Sequence, residues 1–190
     1  MAQPWTEQSG TLDPVSKLIA EGDHRKAVAL AATEHGAAIG RLCMAMLGSQ
    51  AEAEEATQET LLAAFGSMAN YRGEGSPKAW LMGIARRICA RRIETRVRQE
   101  RRLRLVYDAD GADGQLPDDV AERRRRAERL RVALEQLRPS EREALLLRYG
   151  SGLSYREVGQ ACGIEEAAAR KRASRGLGRL RAVLCGENGP

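Results

Sequence analysis

Leu153-Ser154-Tyr155-Arg156-Glu157-Val158-Gly159-Gln160-Ala161-Cys162-Gly163-Ile164 is the stretch from which the fold of this chain reads. Ser154 with Glu157 three residues later is a capping box, which opens a short helix to about Cys162. Gly163 supplies the turn. A longer helix then runs from about Glu165 to Leu184 and carries Arg170, Lys171, Arg172, Arg175, Arg179 and Arg181. Short helix, glycine turn and longer basic helix form the pattern of a helix-turn-helix DNA reader. Val158, Ala161 and Ile164 are the apolar contacts expected to hold the two helices at a steep angle. The N-terminal part of the second helix enters the major groove in such a motif, which makes Arg170, Lys171 and Ser174 candidate groove residues. Arg172, Arg175 and Arg179 are candidate phosphate contacts. A charge run alone would be read as a solvated face; box, turn and basic helix together favour the DNA reader.

Upstream of this motif, Ser140-Glu141-Arg142-Glu143 reads as another capping box, opening a helix to about Tyr149, with Gly150 and Gly152 as breakers. A helix from about Asp119 to Leu137 precedes it and ends at Pro139. Residues 106–118 change character: Asp108, Asp110, Gly111, Asp113, Gly114, Pro117 and Asp118 cluster there, as in a flexible acidic linker.

The first half is helical by the same signals. Asp13-Pro14 pairs an N-cap acceptor with a proline at the first helical position. Gly22 ends that helix, and Asp23 caps the next, which runs to about Leu47 with Gly36 and Gly40 admitting close helix approach. Ser49 to Glu52 is a further box, for a helix to about Phe65. Gly66 to Gly75 reads as a loop. Ser76-Pro77 opens a helix to about Arg104, with Trp80, Leu81, Ile84, Ile88, Cys89 and Ile93 on one side.

The two longer helices of this half differ in sign. Glu54, Glu55, Gln58 and Glu59 make the earlier one acidic, and such a face suits a protein partner better than DNA. The later one carries Arg86, Arg87, Arg91, Arg92, Arg96 and Arg98, with Tyr71, Arg72 and Lys78 before it and Trp80 in its first turns. Aromatic rings interleaved with cations are what a single-stranded nucleic acid needs. Trp80 reads equally as a core anchor.

Composition supports an all-α chain. Of 190 residues only 4 % are aromatic, so the core is aliphatic, which favours helices over a β-sandwich. The net charge of +5 permits a polyanionic partner. Cys43, Cys89, Cys162 and Cys185 lack CxxC spacing and read as buried or half-buried thiols of a reducing compartment. His24 and His35 belong to no metal-ligand pattern, so neither metal nor cofactor is expected. Residues 1–12 have no apolar signal segment, and no run is long enough for a bilayer, so a cytoplasmic location is expected. No nucleophile–base set or phosphate loop is present, so the chain reads as a non-enzyme.

Three motifs together resemble the sigma-70 superfamily, in its short extracytoplasmic-function (ECF) group. Ala53-Glu54-Glu55-Ala56-Thr57-Gln58-Glu59-Thr60-Leu61-Leu62 is similar to that family's polymerase-binding helix, usually written AEDLVQETFL. Tyr71-Arg72-Gly73-Glu74, with Trp80-Leu81 and Ile84-Ala85-Arg86, is similar to its FRGES…WLxxIAR segment. Leu153 to Val158 resembles its LSYxEIA opening. The resemblance covers roughly Pro14 to Leu184. It implies two small helical domains joined by a flexible linker: a sigma domain 2-like bundle over 13–105 and a sigma domain 4-like helix-turn-helix over 119–185, with a disordered 1–12 and a tail at 186–190.

The resemblance also implies roles. Glu54, Glu55, Gln58 and Glu59 would dock on the β′ clamp helices of core RNA polymerase. Tyr71, Arg72, Lys78, Trp80, Arg86, Arg87 and Arg91 would hold the −10 promoter element. Arg170, Lys171, Arg172, Ser174, Arg175 and Arg179 would bind the −35 element while that domain sits by the β flap. An anti-sigma factor is the implied inhibitor. The chain departs from the pattern at Arg87, where asparagine is frequent, at Ala168-Ala169, where Thr-Val is usual, and at Gly159, where alanine is usual. Two competing readings are a DNA-binding regulator that never joins polymerase and a sigma mimic that sequesters a regulator.

Overall fold

The computed structural model describes residues 13–73, 75–103 and 118–186, and among these every regular element is helical. The expected linker, apart from Asp118, lies outside the described residues, as do the N-terminal segment and 187–190.

Four helices build the first unit: α1 (Pro14–Ala20), α2 (His24–Leu47), α3 (Gln50–Ser67) and α4 (Pro77–Leu103). The Asp13 carboxylate accepts from the Val15 and Ser16 amides at 2.9 and 3.4 Å, and Asp23 accepts from the Lys26 amide at 3.2 Å. Each cap satisfies amides that the first turn leaves without partners. Gly48, at φ +77°, turns the chain from α2 into α3. The core is aliphatic, as the composition required: Ile39, Leu42 and Met46 of α2 meet Leu81, Met82 and Ala85 of α4. Helix α3 contributes the small buried residues Ala53, Ala56 and Ala64. Buried Thr60 turns its hydroxyl back to the Ala56 carbonyl at 2.6 Å, so that hydroxyl is not left unpaired.

Helices α5 (Asp118–Glu135), α6 (Pro139–Leu145), α7 (Tyr155–Cys162) and α8 (Glu166–Gly186) form the second unit. Between α6 and α7 the chain makes a π turn over Leu146–Gly150. The core holds Leu134, Leu137, Leu145, Leu147, Leu153, Val158 and Ala173, and it is continuous with that of the first unit where α4 meets α7.

Four expectations change. The loop expected from Gly66 is partly helical: α3 continues to Ser67 and a 3₁₀ turn covers Met68–Asn70. Ala64 and Met68 extend the buried stripe by one turn, and that burial outweighs the helix penalty of Gly66, about 1 kcal/mol. The box expected at Ser140 does not form. Pro139 takes the first helical position and Arg138 becomes the N-cap, without a side-chain bond. Gly36 and Gly40 admit no close approach: a Cβ at Gly36 meets nothing within 4 Å, and one at Gly40 meets Thr57 Oγ1 at 3.8 Å. Cys43 and Cys89 are buried and Cys162 half-buried, but Cys185 is exposed near the end of α8. Among the described residues no helix is long and apolar enough to cross a membrane.

Candidate nucleic-acid interface

The C-terminal motif is built as its sequence dictates. Both halves of the α7 capping box are present: the Glu157 amide donates to Ser154 Oγ at 3.2 Å, and the Ser154 amide donates to Glu157 Oε2 at 2.8 Å. Gly163 takes the left-handed conformation at φ +66°, and the Ile164 amide closes the turn on the Gly159 carbonyl at 2.9 Å. A Cβ at Gly159 would lie 2.7 Å from the Ile164 carbonyl oxygen, so this turn has no room for the usual alanine. Helix α8 buries Ala169, Ala173 and Gly176 and turns its cations outward.

Those cations have different surroundings. Lys171, Ser174 and Arg175 are exposed, and Arg172 is half-buried. Arg170 is held in place: it pairs with Glu166 at 2.8 Å and its guanidinium lies 5.0 Å from the centre of the Tyr155 ring. Arg148 stacks on that ring from the π turn, at 4.9 Å. Arg179 reaches Glu141 of α6 at 2.6 Å, and Glu141 is 4 % exposed. This pair answers a buried carboxylate, so Arg179 has a structural task as well as a place on the basic face. Gly176 sits where α8 crosses α6, with Glu141 Cβ 3.2 Å from where a Cβ would stand.

The N-terminal half of α4 forms the second basic face. Ser76 Oγ accepts from the Ala79 amide at 3.1 Å and so caps α4. Tyr71 and Trp80 form a tilted ring pair with centres 5.0 Å apart, and the Tyr71 hydroxyl donates to the Gly75 carbonyl at 2.6 Å. Trp80 is half-buried against the core, so it is an anchor with one accessible edge. Arg72, Arg87 and Arg91 are exposed, and Lys78 is half-buried. A cleft of about 550 Å³ runs between this face and α7, lined among others by Tyr71, Trp80, Arg86, Arg87 and Gln160.

Arg86 departs from this set. Its Nη1 donates to Glu143 Oε2 at 3.0 Å, its Nε donates to the Ala161 carbonyl at 3.2 Å, and its side chain is 18 % exposed. Both partners belong to the second unit. The Ser140 box that failed to form leaves Glu143 free for this long-range bond.

The acidic face of α3 is partly neutralised from within. Arg92 of α4 bridges Glu55 at 3.0 Å and Glu59 at 2.8 Å, and Arg96 reaches Glu52 at 3.4 Å. Glu54, Glu55 and Gln58 remain exposed. Beside them, and missed in the sequence reading, stand two exposed apolar side chains, Leu62 at 72 % and Phe65 at 46 %. Their signal was available: Leu62 falls outside the Ala53-Ala56-Thr60-Ala64 stripe that faces the core.

Comparison with known proteins gives this arrangement a family. Residues 32–102 match the model for sigma-70 region 2, and residues 127–180 match that for sigma-70 region 4. The ECF RNA polymerase sigma factor SigE of Mycolicibacterium smegmatis is 33% identical over 156 residues, covering 80% of this chain and 59% of the relative. The ECF sigma factor EcfG of Rhodopseudomonas palustris is 30% identical, covering 74% of this chain and 76% of the relative. The fold is similar to that of the sigma factor RpoE in its complex with the anti-sigma factor NepR from Bartonella quintana, with a TM-score of 0.64 at 24% identity over 85% of this chain and 96% of that one. The two matched regions, in this order, the first containing the acidic helix and the second the capped helix-turn-helix, mean that the chain belongs to the sigma-70 family, in its ECF group.

Proposed function

We propose that the chain is an alternative initiation factor of the bacterial cytoplasm, which binds core RNA polymerase and directs it to a specific set of promoters, with no reaction catalysed by the factor itself. The observation that carries this reading is the pairing, within one small helical unit, of an acidic face edged with exposed Leu62 and Phe65 and a basic face edged with Tyr71 and Trp80. A regulator that only binds DNA has no use for the first, and a protein that only sequesters a partner has no use for the second.

Glu54, Glu55, Gln58 and Glu59 dock on the β′ clamp helices, with Leu62 and Phe65 adding apolar area. Arg72, Arg87 and Arg91 hold the backbone of the −10 strand beside Tyr71 and Trp80. Arg170, Lys171, Ser174 and Arg175 meet the −35 duplex while the C-terminal unit rests at the β flap. Arg170, held between Glu166 and Tyr155, is preorganised for a base edge. An anti-sigma factor as inhibitor is supported by the named partner of the RpoE structure.

Run-off transcription on a pool of promoter fragments, with core polymerase and with or without this protein, tests the reading. Discrete transcripts that depend on the protein are expected. Co-migration with polymerase without transcripts would instead identify a sigma-like decoy. Replacing Glu55 and Gln58 together by alanine should abolish co-migration and leave the helical circular-dichroism signal unchanged.

A further inference from the structure

Promoter binding makes no use of one pair of nucleophiles in the first unit. Cys43 of α2 and Cys89 of α4 are both fully buried, and their thiols meet across the helix interface. The other two cysteines, Cys162 and Cys185, belong to α7 and α8. Among the described residues no third ligand of the kind a metal needs stands with the pair, so the chemistry open to it is that of a dithiol.

The two sulfurs differ in character. The Cys89 thiol donates to the Cys43 sulfur and holds Cys43 below the usual thiol value; burial pushes it up, and Thr57 and the charge of Arg92 pull it down again. Cys89 is pushed up by the same bond and by burial. Cys43 is therefore the sulfur that ionises first, with Cys89 in place to resolve it. Arg92 stands one turn beyond Cys89 on α4 and bridges Glu55 and Glu59 of α3. The pair thus lies under the acidic face, within the field of Arg92. On α2, Gly40 stands one turn before Cys43, and a Cβ there would meet Thr57 Oγ1 only at 3.8 Å.

We propose that Cys43 and Cys89 are a redox-active dithiol, which hydrogen peroxide converts to an internal disulfide that ties α2 to α4 beneath α3. The space beside Gly40 is the approach for so small and neutral an oxidant. The Cys43 thiolate attacks one peroxide oxygen: an S–O bond forms, the O–O bond breaks, and the departing hydroxide takes the proton released by Cys43 and leaves as water. Cys89 then attacks the sulfenic sulfur: the S–S bond forms, the S–O bond breaks, and the second hydroxide leaves as water with the Cys89 proton. The two thiols give up two electrons, and one peroxide is reduced to two waters. A reducing compartment keeps the pair as the dithiol. Under oxidant the disulfide closes the loop 43–89 and braces the helix pair that carries the acidic face, with no change in its charge.

The test uses the full chain, treated with hydrogen peroxide, alkylated without reductant and digested with trypsin. Cleavage after Arg41, Arg72, Arg87 and Arg91 places the two cysteines on peptides 42–72 and 88–91. The expected product is these two peptides joined, two hydrogen atoms lighter than their sum, with neither Cys162 nor Cys185 in the link. The thermal midpoint of the oxidised protein should rise by several degrees and return on reduction with dithiothreitol. Cys43→Ala and Cys89→Ala should each lose both the link and the rise. Each variant is compared with its own reduced form, so a lower starting stability does not blur the outcome. Cys162→Ser should keep both. Recovery of the two peptides unlinked after oxidation, a link from Cys43 to Cys185, or a thermal rise that survives in Cys43→Ala would each overturn the pair. None of these results bears on the initiation-factor reading, which run-off transcription decides.

Discussion

Helices α4 and α8 carry similar arginine runs and leave them in different states. On α4, Arg86, Arg92 and Arg96 each reach a glutamate of another helix, 57, 33 and 44 residues away in sequence. On α8, Arg170 pairs one turn back with Glu166, and Lys171 and Arg175 face solvent. A pair within one helix is worth about 0.3–0.5 kcal/mol and gives way to a phosphate without moving the backbone. A pair between helices also ties two packed elements together, so a phosphate competes with the fold for the cation. The basic face of α8 is therefore ready for a ligand, whereas that of α4 is partly committed to the fold. Arg179 is the exception on α8, tied to Glu141 across 38 residues.

This difference can be broken by experiment. Arg179→Ala should have the largest effect, because it strands a carboxylate that is 4 % exposed. The loss should be about 3 kcal/mol in chemical denaturation. Lys171→Ala should leave stability unaltered, and an equal loss in both variants would erase the distinction between committed and available cations. Arg170→Ala should weaken duplex promoter binding by about 2 kcal/mol and relax specificity, as expected of a base contact. A loss that is uniform over sequences marks a phosphate contact instead.

A smaller step should appear in acid. The Glu157 carboxyl sits below its usual value of 4.5: burial pushes it up, and the bonds from Ser76 and Ser154, with the charge of Lys78, outweigh that. A depressed carboxyl contributes stability that is present above the unfolded value and is lost as pH falls from 4.5 through the lower folded value. The cap is worth about 1 kcal/mol, and Glu157→Gln should remove this part of the acid dependence in pH-resolved thermal melts. Arg92→Ala should have the smallest effect, about 0.5 kcal/mol, since Glu55 and Glu59 are 69% and 46% exposed. A much larger loss in denaturation would mean that the acidic face depends on Arg92 to keep its shape.

What the sequence made legible was local. Asp13-Pro14, the Ser154–Glu157 box and Gly163 act within three or four residues, and each forms as expected. The box at Ser140 failed for an equally local reason, the prior claim of Pro139 on the first turn. The candidate site was legible as a set of residues and not as a set of states. Nothing near Arg86 in sequence announces Glu143, and nothing near Arg179 announces Glu141, because those pairs exist only once the fold brings α6 within side-chain reach of α4 and of α8. Leu62 and Phe65 escaped because the acidic residues around them drew the reading toward charge.

The fully buried stripe of α8 is Ala169, Ala173 and Gly176, and the partly buried Leu177 and Leu180 pack beside it. Neighbouring outward positions such as Lys171, Ser174 and Arg175 can then be exchanged without disturbing any of the packing that seats the helix. In the −35 role proposed for these residues, promoter preference can drift by single substitutions while the scaffold stays still. A laboratory seeking to retarget the factor can randomise those three outward sites and expect most of the library to fold.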